Sequence, residues 1–399
     1  MENKLHKVLV QFVVDALIKI FDEELYSDKA LDKIFKANKV LGARDRAFIA
    51  ETTYNIVRYY RKYLFAVQDE KNWWKIIAAY FISKEIELPQ WKEFEGIDKN
   101  KILEKLEEAS KIQVLRESIP DWMNDLCHKE LGKNWDSELM ALNNPAPIVL
   151  RVNSLKTNIA ELSKQLDELR IITEISAQHP DALIVKGRKN VFGTELFKNG
   201  FFEIQDASSQ LVAAFMQVQP GMRVVDACAG AGGKSMHLAS LMKNKGQLIA
   251  LDTEEWKLLE LRKRARRNGI SIVEGRLISS NKIIKRMDQS ADRLLLDVPC
   301  SGLGVLRRNP DAKWKLSSEF IQRVIELQSE ILDNYSRIVK VGGKMVYATC
   351  SILPSENQNQ IQKFTDKNKS FEVEEESIIS PAESGFDGFF MSRLIRTKV

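Results

Sequence analysis

From about residue 205 to the C-terminus, short apolar runs alternate with longer amphipathic stretches, and this rhythm constrains the fold more than any other feature. Arg223–Cys228, Gln247–Asp252, Arg293–Val298 and Lys344–Thr349 have the length and apolar content of strands, while Gly233–Met242, Glu254–Asn268 and Ser317–Val339 between them suit helices. Parallel strands need long crossovers, and helices supply them while covering both sheet faces. The pattern therefore predicts an α/β fold built on a doubly wound parallel sheet. In such sheets the ligand sits beyond the carboxyl ends of the strands. Cys228, Asp252, Asp297, Cys300 and Cys350 all fall at or just past those ends.

The preceding chain reads differently. Residues 1–142 show helical periodicity almost throughout; in the stretch Arg44 to Tyr63, Phe48, Thr52, Ile56 and Tyr59 can share one face while Arg44, Arg46, Arg58, Arg61 and Lys62 decorate the rest. Asn143-Asn144-Pro145-Ala146-Pro147 breaks the pattern. Residues 143–204 then mix strand-like Ile148–Val152 and Ala182–Val185 with helix-like Asn158–Leu169, as in a small α+β module of RRM-like type. The expected organisation is an all-helical domain over 1–142, this module over 143–204, and a Rossmann-like domain over 205–399.

Bulk properties exclude several classes. The net charge of +5 over 399 residues fits a polyanionic partner without establishing one. The four cysteines form no CxxC pair and have no histidine at zinc-finger spacing, so neither a disulfide framework nor a metal site is expected. Free thiols suit a reducing compartment. The N-terminal MENKLHKVLVQFVVDALIKIF, interrupted by Asp15 and Lys19, reads as an amphipathic helix rather than a signal peptide. No run reaches the roughly 18 apolar residues of a membrane span. A cytoplasmic monomer without membrane contact is the expectation.

The first predicted strand of the sheet runs into Asp226-Ala227-Cys228-Ala229-Gly230-Ala231-Gly232-Gly233-Lys234-Ser235. A glycine-rich turn leading into a helix lets backbone approach a ligand. A dinucleotide fingerprint would need a third glycine where Ser235 stands. A P-loop would need its first glycine where Cys228 stands, although Gly233-Lys234-Ser235 and the strand ending at Asp297 match its other parts. S-adenosylmethionine carries no phosphates and so requires no phosphate nest; Asp252 would then hold its ribose diol. The turn alone leaves these readings open.

The cysteines narrow them. Asp297-Val298-Pro299-Cys300-Ser301-Gly302 follows one strand and Ala348-Thr349-Cys350-Ser351 follows the next, so adjacent strands deliver two thiols to one cleft. Cys127, in a helical segment, reads as a buried apolar residue. A thiol pair suits methylation of a pyrimidine at C5. That carbon is too weak a nucleophile until a thiolate adds at C6; C5 then accepts a methyl group, and loss of its proton expels the thiol. Asp297 is placed to stabilise charge on the ring.

These motifs resemble the NOL1/NOP2/Sun family of RNA cytosine-C5 methyltransferases. The resemblance is dense from about residue 205 onward and rests on Ile204-Gln205-Asp206-Ala207-Ser208-Ser209, the 226–234 turn, Leu296 to Gly302, Gly304-Val305-Leu306-Arg307-Arg308-Asn309-Pro310-Asp311, Tyr347 to Ser351, and Asp387-Gly388-Phe389-Phe390-Met391, which resembles the final strand. It implies S-adenosylmethionine as cofactor, bound by Cys228, Ala229, Gly230, Ala231, Gly232, Gly233 and Lys234, with Asp252 on the ribose and Asp297 beside both donor and base. It also implies that Cys350 attacks and Cys300 assists release. Gly230 and Ala231 replace the family's usual alanine and proline, and Glu274-Gly275-Arg276 stands for an Asp-Gly-Arg segment, so Glu274 is expected at the adenine. For the helical domain the resemblance implies a NusB-like bundle that holds RNA, ribosomal RNA above all. Arg44, Arg46, Arg307 and Arg308 are the candidate RNA contacts, whereas Arg262 to Arg267 reads as a solvated helix face.

Overall fold

The computed structural model describes residues 5–70, 72–187 and 189–398. The chain divides into two compact units. One comprises residues up to Asn144 together with Leu306–Ser318; the other comprises Pro145–Val305 and Glu319 onward. The second unit holds eleven strands among the described residues. β1 (Ile148–Val152), β2 (Thr173–Ile175), β3 (Ala182–Val185) and β4 (Phe202–Ile204) form an antiparallel sheet in the order β2-β3-β1-β4. β5 (Arg223–Asp226), β6 (Gln247–Asp252), β7 (Val273–Leu277), β8 (Ala291–Asp297), β9 (Val339–Thr349), β10 (Phe371–Ile379) and β11 (Phe389–Arg396) form a larger sheet in the order β10-β11-β9-β8-β5-β6-β7.

The five strands β7-β6-β5-β8-β9 are parallel, as the alternating pattern predicts. Val224, Val225, Leu248 to Leu251 and Leu294 to Leu296 are all fully buried. A central parallel strand is covered on both faces, which is why these segments read as unbroken apolar runs. The order reverses at β5, with β6 on one side and β8 on the other. In sheets of this kind, ligands bind at the carboxyl ends of the strands beside such a switch point, here β5 and β8. β11 inserts antiparallel between β9 and β10. β10 is an edge strand carrying Glu372 and Glu374 to Glu376, and acidic residues of this kind discourage pairing with other chains. Arg393 on β11 answers two of them, Nε to Glu374 at 2.9 Å and Nη2 to Glu375 at 2.6 Å.

In the first unit, the helix Lys7–Phe21 buries Val10, Val13, Val14, Leu17 and Ile20, a spacing that forms one apolar stripe. The first four residues of the predicted amphipathic segment lie outside the described residues. Asp98 caps the helix Lys99–Lys111, its Oδ1 accepting from the amides of Asn100 and Lys101. Two of the basic residues expected to decorate the stretch Arg44 to Tyr63, Arg58 and Arg61, have partners inside the unit. Arg58 is buried, and Arg61 makes a two-pronged ion pair with Asp121 at 2.8 Å.

Leu306–Ser318 packs into this helical unit rather than into the unit that precedes and follows it in sequence. The Lys313 ammonium is buried and donates to Arg58 O, Glu117 O, Ser118 O and Asn143 Oδ1. Trp314 Nε1 donates to Val57 O at 2.8 Å, and Asp311 Oδ2 accepts from the Ser27 amide at 3.0 Å. The expected single block over 205–399 is thus interrupted.

Candidate active site

β5 ends at Asp226 and the chain turns over Gly230 (φ 54°) and Gly232 (φ 83°) into the helix Gly233–Leu241. Both glycines occupy the left-handed region, and a Cβ on Gly232 would come within 2.8 Å of Leu261. The turn is tied to its neighbours. The Gly230 amide donates to Asp252 Oδ2 at 2.8 Å, and the Glu254 amide donates to Asp252 Oδ1 at 2.9 Å. Each carboxylate oxygen of Asp252 keeps lone-pair capacity beyond these bonds, as a diol would require. A Cβ at Gly230 would meet nothing within 4 Å, so the space over the turn is open. From the small sheet, Arg151 on β1 donates to Gly233 O at 2.6 Å and holds the turn from behind. Burial lowers the Arg151 pKa to about 10. Burial also pushes the Asp226 carboxyl up to about 7, against the Ser235 hydroxyl that donates to it at 2.6 Å.

Lys234 follows the turn. Its ammonium bonds Asp297 Oδ2 at 2.6 Å and lies 5.0 Å from the centre of the Phe389 ring. Burial works against the Lys234 charge, but the Asp297 carboxylate more than offsets it and leaves the pKa raised. A P-loop lysine must be available to phosphates; here the ammonium already serves Asp297.

β8 and β9 end side by side, with Asp297 in register with Ala348. The next residues bring Cys300 Sγ and Cys350 Sγ to 3.3 Å. Both are half-buried free thiols. The Cys350 sulfur beside it and burial push the Cys300 thiol well above the usual thiol range. The Gly304 amide donates to Cys350 O at 3.0 Å, and Gly304 O accepts from the Gly388 amide at 2.8 Å. A Cβ on Gly304 would sit 2.4 Å from Gly388 O and 2.8 Å from Cys350 O. Gly304→Ala is therefore expected to displace the Cys350 loop, with a loss of about 2 kcal/mol or more in a denaturant melt; an unchanged melt and unchanged Cys350 alkylation would refute this.

The family described as 16S rRNA methyltransferase RsmB/F matches residues 213–395, and its ferredoxin-like domain matches residues 119–192. A Bacillus subtilis protein named probable ribosomal RNA small subunit methyltransferase B is 30% identical over 403 residues, covering 90% of this chain and 88% of its own. The chain belongs to the RsmB/F family. A Synechocystis relative with the same description is 37% identical over 69% of this chain; the match spans 66% of that protein, slightly under two thirds. The solved structure of PH0851 shares the fold, with a TM-score of 0.84 at 24% identity over 99% of this chain and 100% of its own.

Within this RsmB/F-family chain, the expected site residues fall into three groups. Cys228 to Lys234, Asp252, Asp297, Cys300 and Cys350 gather at the carboxyl ends of β5, β6, β8 and β9. Glu274 does not join them. It lies opposite Ile249 in the β6–β7 register, whereas Asp252 lies opposite Leu277. Three strand residues separate the two levels, roughly 10 Å. Arg276 also engages the Glu274 carboxylate through Nε at 2.7 Å and Nη2 at 2.8 Å. The residue past the end of β7 is Ile278, whose amide donates to Asp252 O at 2.8 Å, so the adenine role expected of Glu274 is not supported by its position.

The arginines form the third group. Arg307 is 5% exposed within the helical unit, and its carbonyl accepts from Arg58 Nη2; burial withdraws its guanidinium from phosphates, contrary to expectation. Arg308 is half-buried. Arg44 is exposed, whereas Arg46 donates to Leu41 O at 3.0 Å and covers the Phe35 ring. In the run 262–267, Arg264 and Arg267 turn onto buried Glu203 instead of solvent.

Sequence reasoning missed Glu356. This fully buried carboxylate accepts from Ser301 and Ser351, the residues after the two cysteines. No periodicity or spacing marks it; the only signal is an acidic residue shortly after the second cysteine. No group able to hold a metal ion occurs among the described residues, and no helix there is long and apolar enough to cross a membrane.

Proposed function

We propose that this protein methylates C5 of a cytosine in RNA, in small-subunit ribosomal RNA by the family's example, with S-adenosylmethionine as donor. The observation that carries the reading is the pair of thiols 3.3 Å apart at the ends of β8 and β9, beside the Lys234–Asp297 pair. The turn 228–234 and Asp252 would hold the donor, which supplies an electrophilic methyl group on a sulfonium. The rest of the chemistry belongs to the chain. Cys350 Sγ bonds to C6, and the electron pair displaced from the C5–C6 double bond makes C5 nucleophilic. Asp297 meets the ring's N3 and exocyclic amine as charge builds there. After C5 is methylated, its proton passes to water in the cleft, the electrons of the C5–H bond re-form the double bond, and the Sγ–C6 bond breaks to return the Cys350 thiolate, with Cys300 adjacent to assist release. The family resemblance supports this division of attack to Cys350 and release to Cys300. Of the four candidate arginines, Arg44 is the exposed one and is proposed as a contact to the RNA backbone.

The test combines labelled S-adenosylmethionine with small-subunit ribosomal RNA. Label should appear as 5-methylcytosine, and Cys300→Ala should accumulate a denaturant-stable RNA–protein adduct that Cys350→Ala does not form. An adduct from Cys350→Ala but not from Cys300→Ala would reverse the roles; label at any other base atom would remove the C5 assignment.

A further inference from the structure

The proposed reaction acts on two adjacent ring carbons: a sulfur bonds to C6, and a proton leaves C5. The two thiols must therefore stay within a few ångströms of each other, yet remain apart from the roughly 2.05 Å of a disulfide bond. Cys300 and Cys350 follow different strands and sit on separate loops; beside the β8–β9 pairing and the Gly304–Cys350 bond, a further element ties these loops together.

That element is built from the residue after each cysteine. Ser301 donates to Glu356 twice, through its amide to Oε2 at 2.7 Å and its hydroxyl to Oε1 at 2.5 Å. Ser351 donates its hydroxyl to the same Oε1 at 2.6 Å. The two serine oxygens lie 3.2 Å apart. Gln328 completes the set: Nε2 donates to Glu356 Oε2 at 3.0 Å and to Pro299 O at 2.9 Å, on the residue before Cys300. The backbone around Glu356 is fixed as well. Tyr347 donates its hydroxyl to Glu356 O at 2.7 Å. Thr349 donates to Asn357 Oδ1, and Asn357 Nδ2 donates back to Ser351 O at 3.0 Å. A carboxylate only accepts, so it can take all four donors at once. Charge-assisted bonds in a buried site are also stiffer than neutral ones.

We propose that Glu356 is a positioning residue: its carboxylate, shared by Ser301 and Ser351, sets the distance between the Cys300 and Cys350 thiols. Fully buried, it acts through the serines and not on the substrate, and its role in the reaction rests on the proposed two-cysteine chemistry.

The test uses the full chain. The thiol pair is equilibrated with glutathione and glutathione disulfide, where two cysteine thiols are oxidised to one disulfide as one glutathione disulfide is reduced to two glutathiones. The equilibrium reads how closely the thiols are held. Glu356→Gln keeps the shape but turns one acceptor into a donor facing donors. Its equilibrium constant for closing the disulfide should fall about 10- to 100-fold, the scale of a lost hydrogen bond to a charged group. The kcat for methyl transfer should fall on the same scale, with KM for S-adenosylmethionine unchanged within about twofold. Ser351→Ala should move both readouts the same way, and adding it to Glu356→Gln should change little, because both act through one contact. Should Glu356→Gln lose its cooperative melt, Ser351→Ala alone carries the test. Unchanged thiol equilibria overturn the proposal, and a shifted equilibrium with unchanged kcat overturns its part in the reaction. If Cys350→Ala still methylates, the covalent reading fails, and the thiol equilibrium still decides whether Glu356 sets the spacing.

Discussion

Cys350→Ala should reduce methyl transfer by at least about 10⁴-fold, the scale seen when a covalent nucleophile is removed. Without a sulfur at C6 the ring keeps its aromatic electrons, and C5 has no lone-pair character to offer. Neighbouring groups do not compensate. The Cys300 thiol, 3.3 Å away, has its pKa raised first by the Cys350 sulfur and then by burial; removing Cys350 lifts only the first of these. Donor binding should be spared, since Cys350 lies on the loop after β9 whereas Asp252 and the glycine turn follow β6 and β5. Calorimetric titration with S-adenosylmethionine alongside single-turnover methylation separates the two. A variant retaining a tenth of wild-type turnover would exclude covalent addition by Cys350, as would equal loss of donor affinity and rate.

Lys313→Met should destabilise the helical unit by about 2–4 kcal/mol, measured by chemical denaturation. Methionine fills most of the volume but removes the donor from Arg58 O, Glu117 O, Ser118 O and Asn143 Oδ1. Part of that loss is offset, because a buried ammonium no longer has to be desolvated. The same residue gives a pH signature. Burial, reinforced by the Arg58 charge, lowers the Lys313 pKa from its ordinary 10.5 to about 7. Between those values the unfolded chain binds more protons than the folded one, so stability rises with pH across that window. Below about 7 both states are protonated and the full penalty applies. The wild-type-minus-variant difference should therefore grow from pH 7 toward 10; a flat difference would place the amine in a solvated environment. Leu306–Ser318 follows the Cys300 loop in the chain, so methylation should also fall in Lys313→Met if the segment leaves its seat.

Particular residues show what could be read in advance. Leu294 to Leu296 and Leu248 to Leu251 are buried on both sheet faces, so their role was written locally as apolar runs. The edge strand β10 carries no such signature, because it is largely exposed and its glutamates are answered by side chains of other strands, Arg393 of β11 and Lys344 of β9. Glu274 was misplaced for a related reason. A motif fixes neighbours along the chain, but a carboxylate's level in a sheet depends on the register between strands, which is set by the pairing of β6 with β7.

By itself, the sequence determined the doubly wound sheet and the delivery of Cys300, Cys350, Asp252 and Asp297 to its carboxyl edge. Period and residue type act over a few neighbours, and a strand end is a local event. Tertiary structure alone decided that Arg307 and Lys313 belong to the helical unit, and that Glu356 joins the serines following the two cysteines. Apart from Ser351 to Glu356, five residues apart, these are contacts across tens to hundreds of residues. Whether an arginine meets solvent or a carbonyl, and whether a glutamate is a surface charge or a buried acceptor, depends on what distant chain is packed against it.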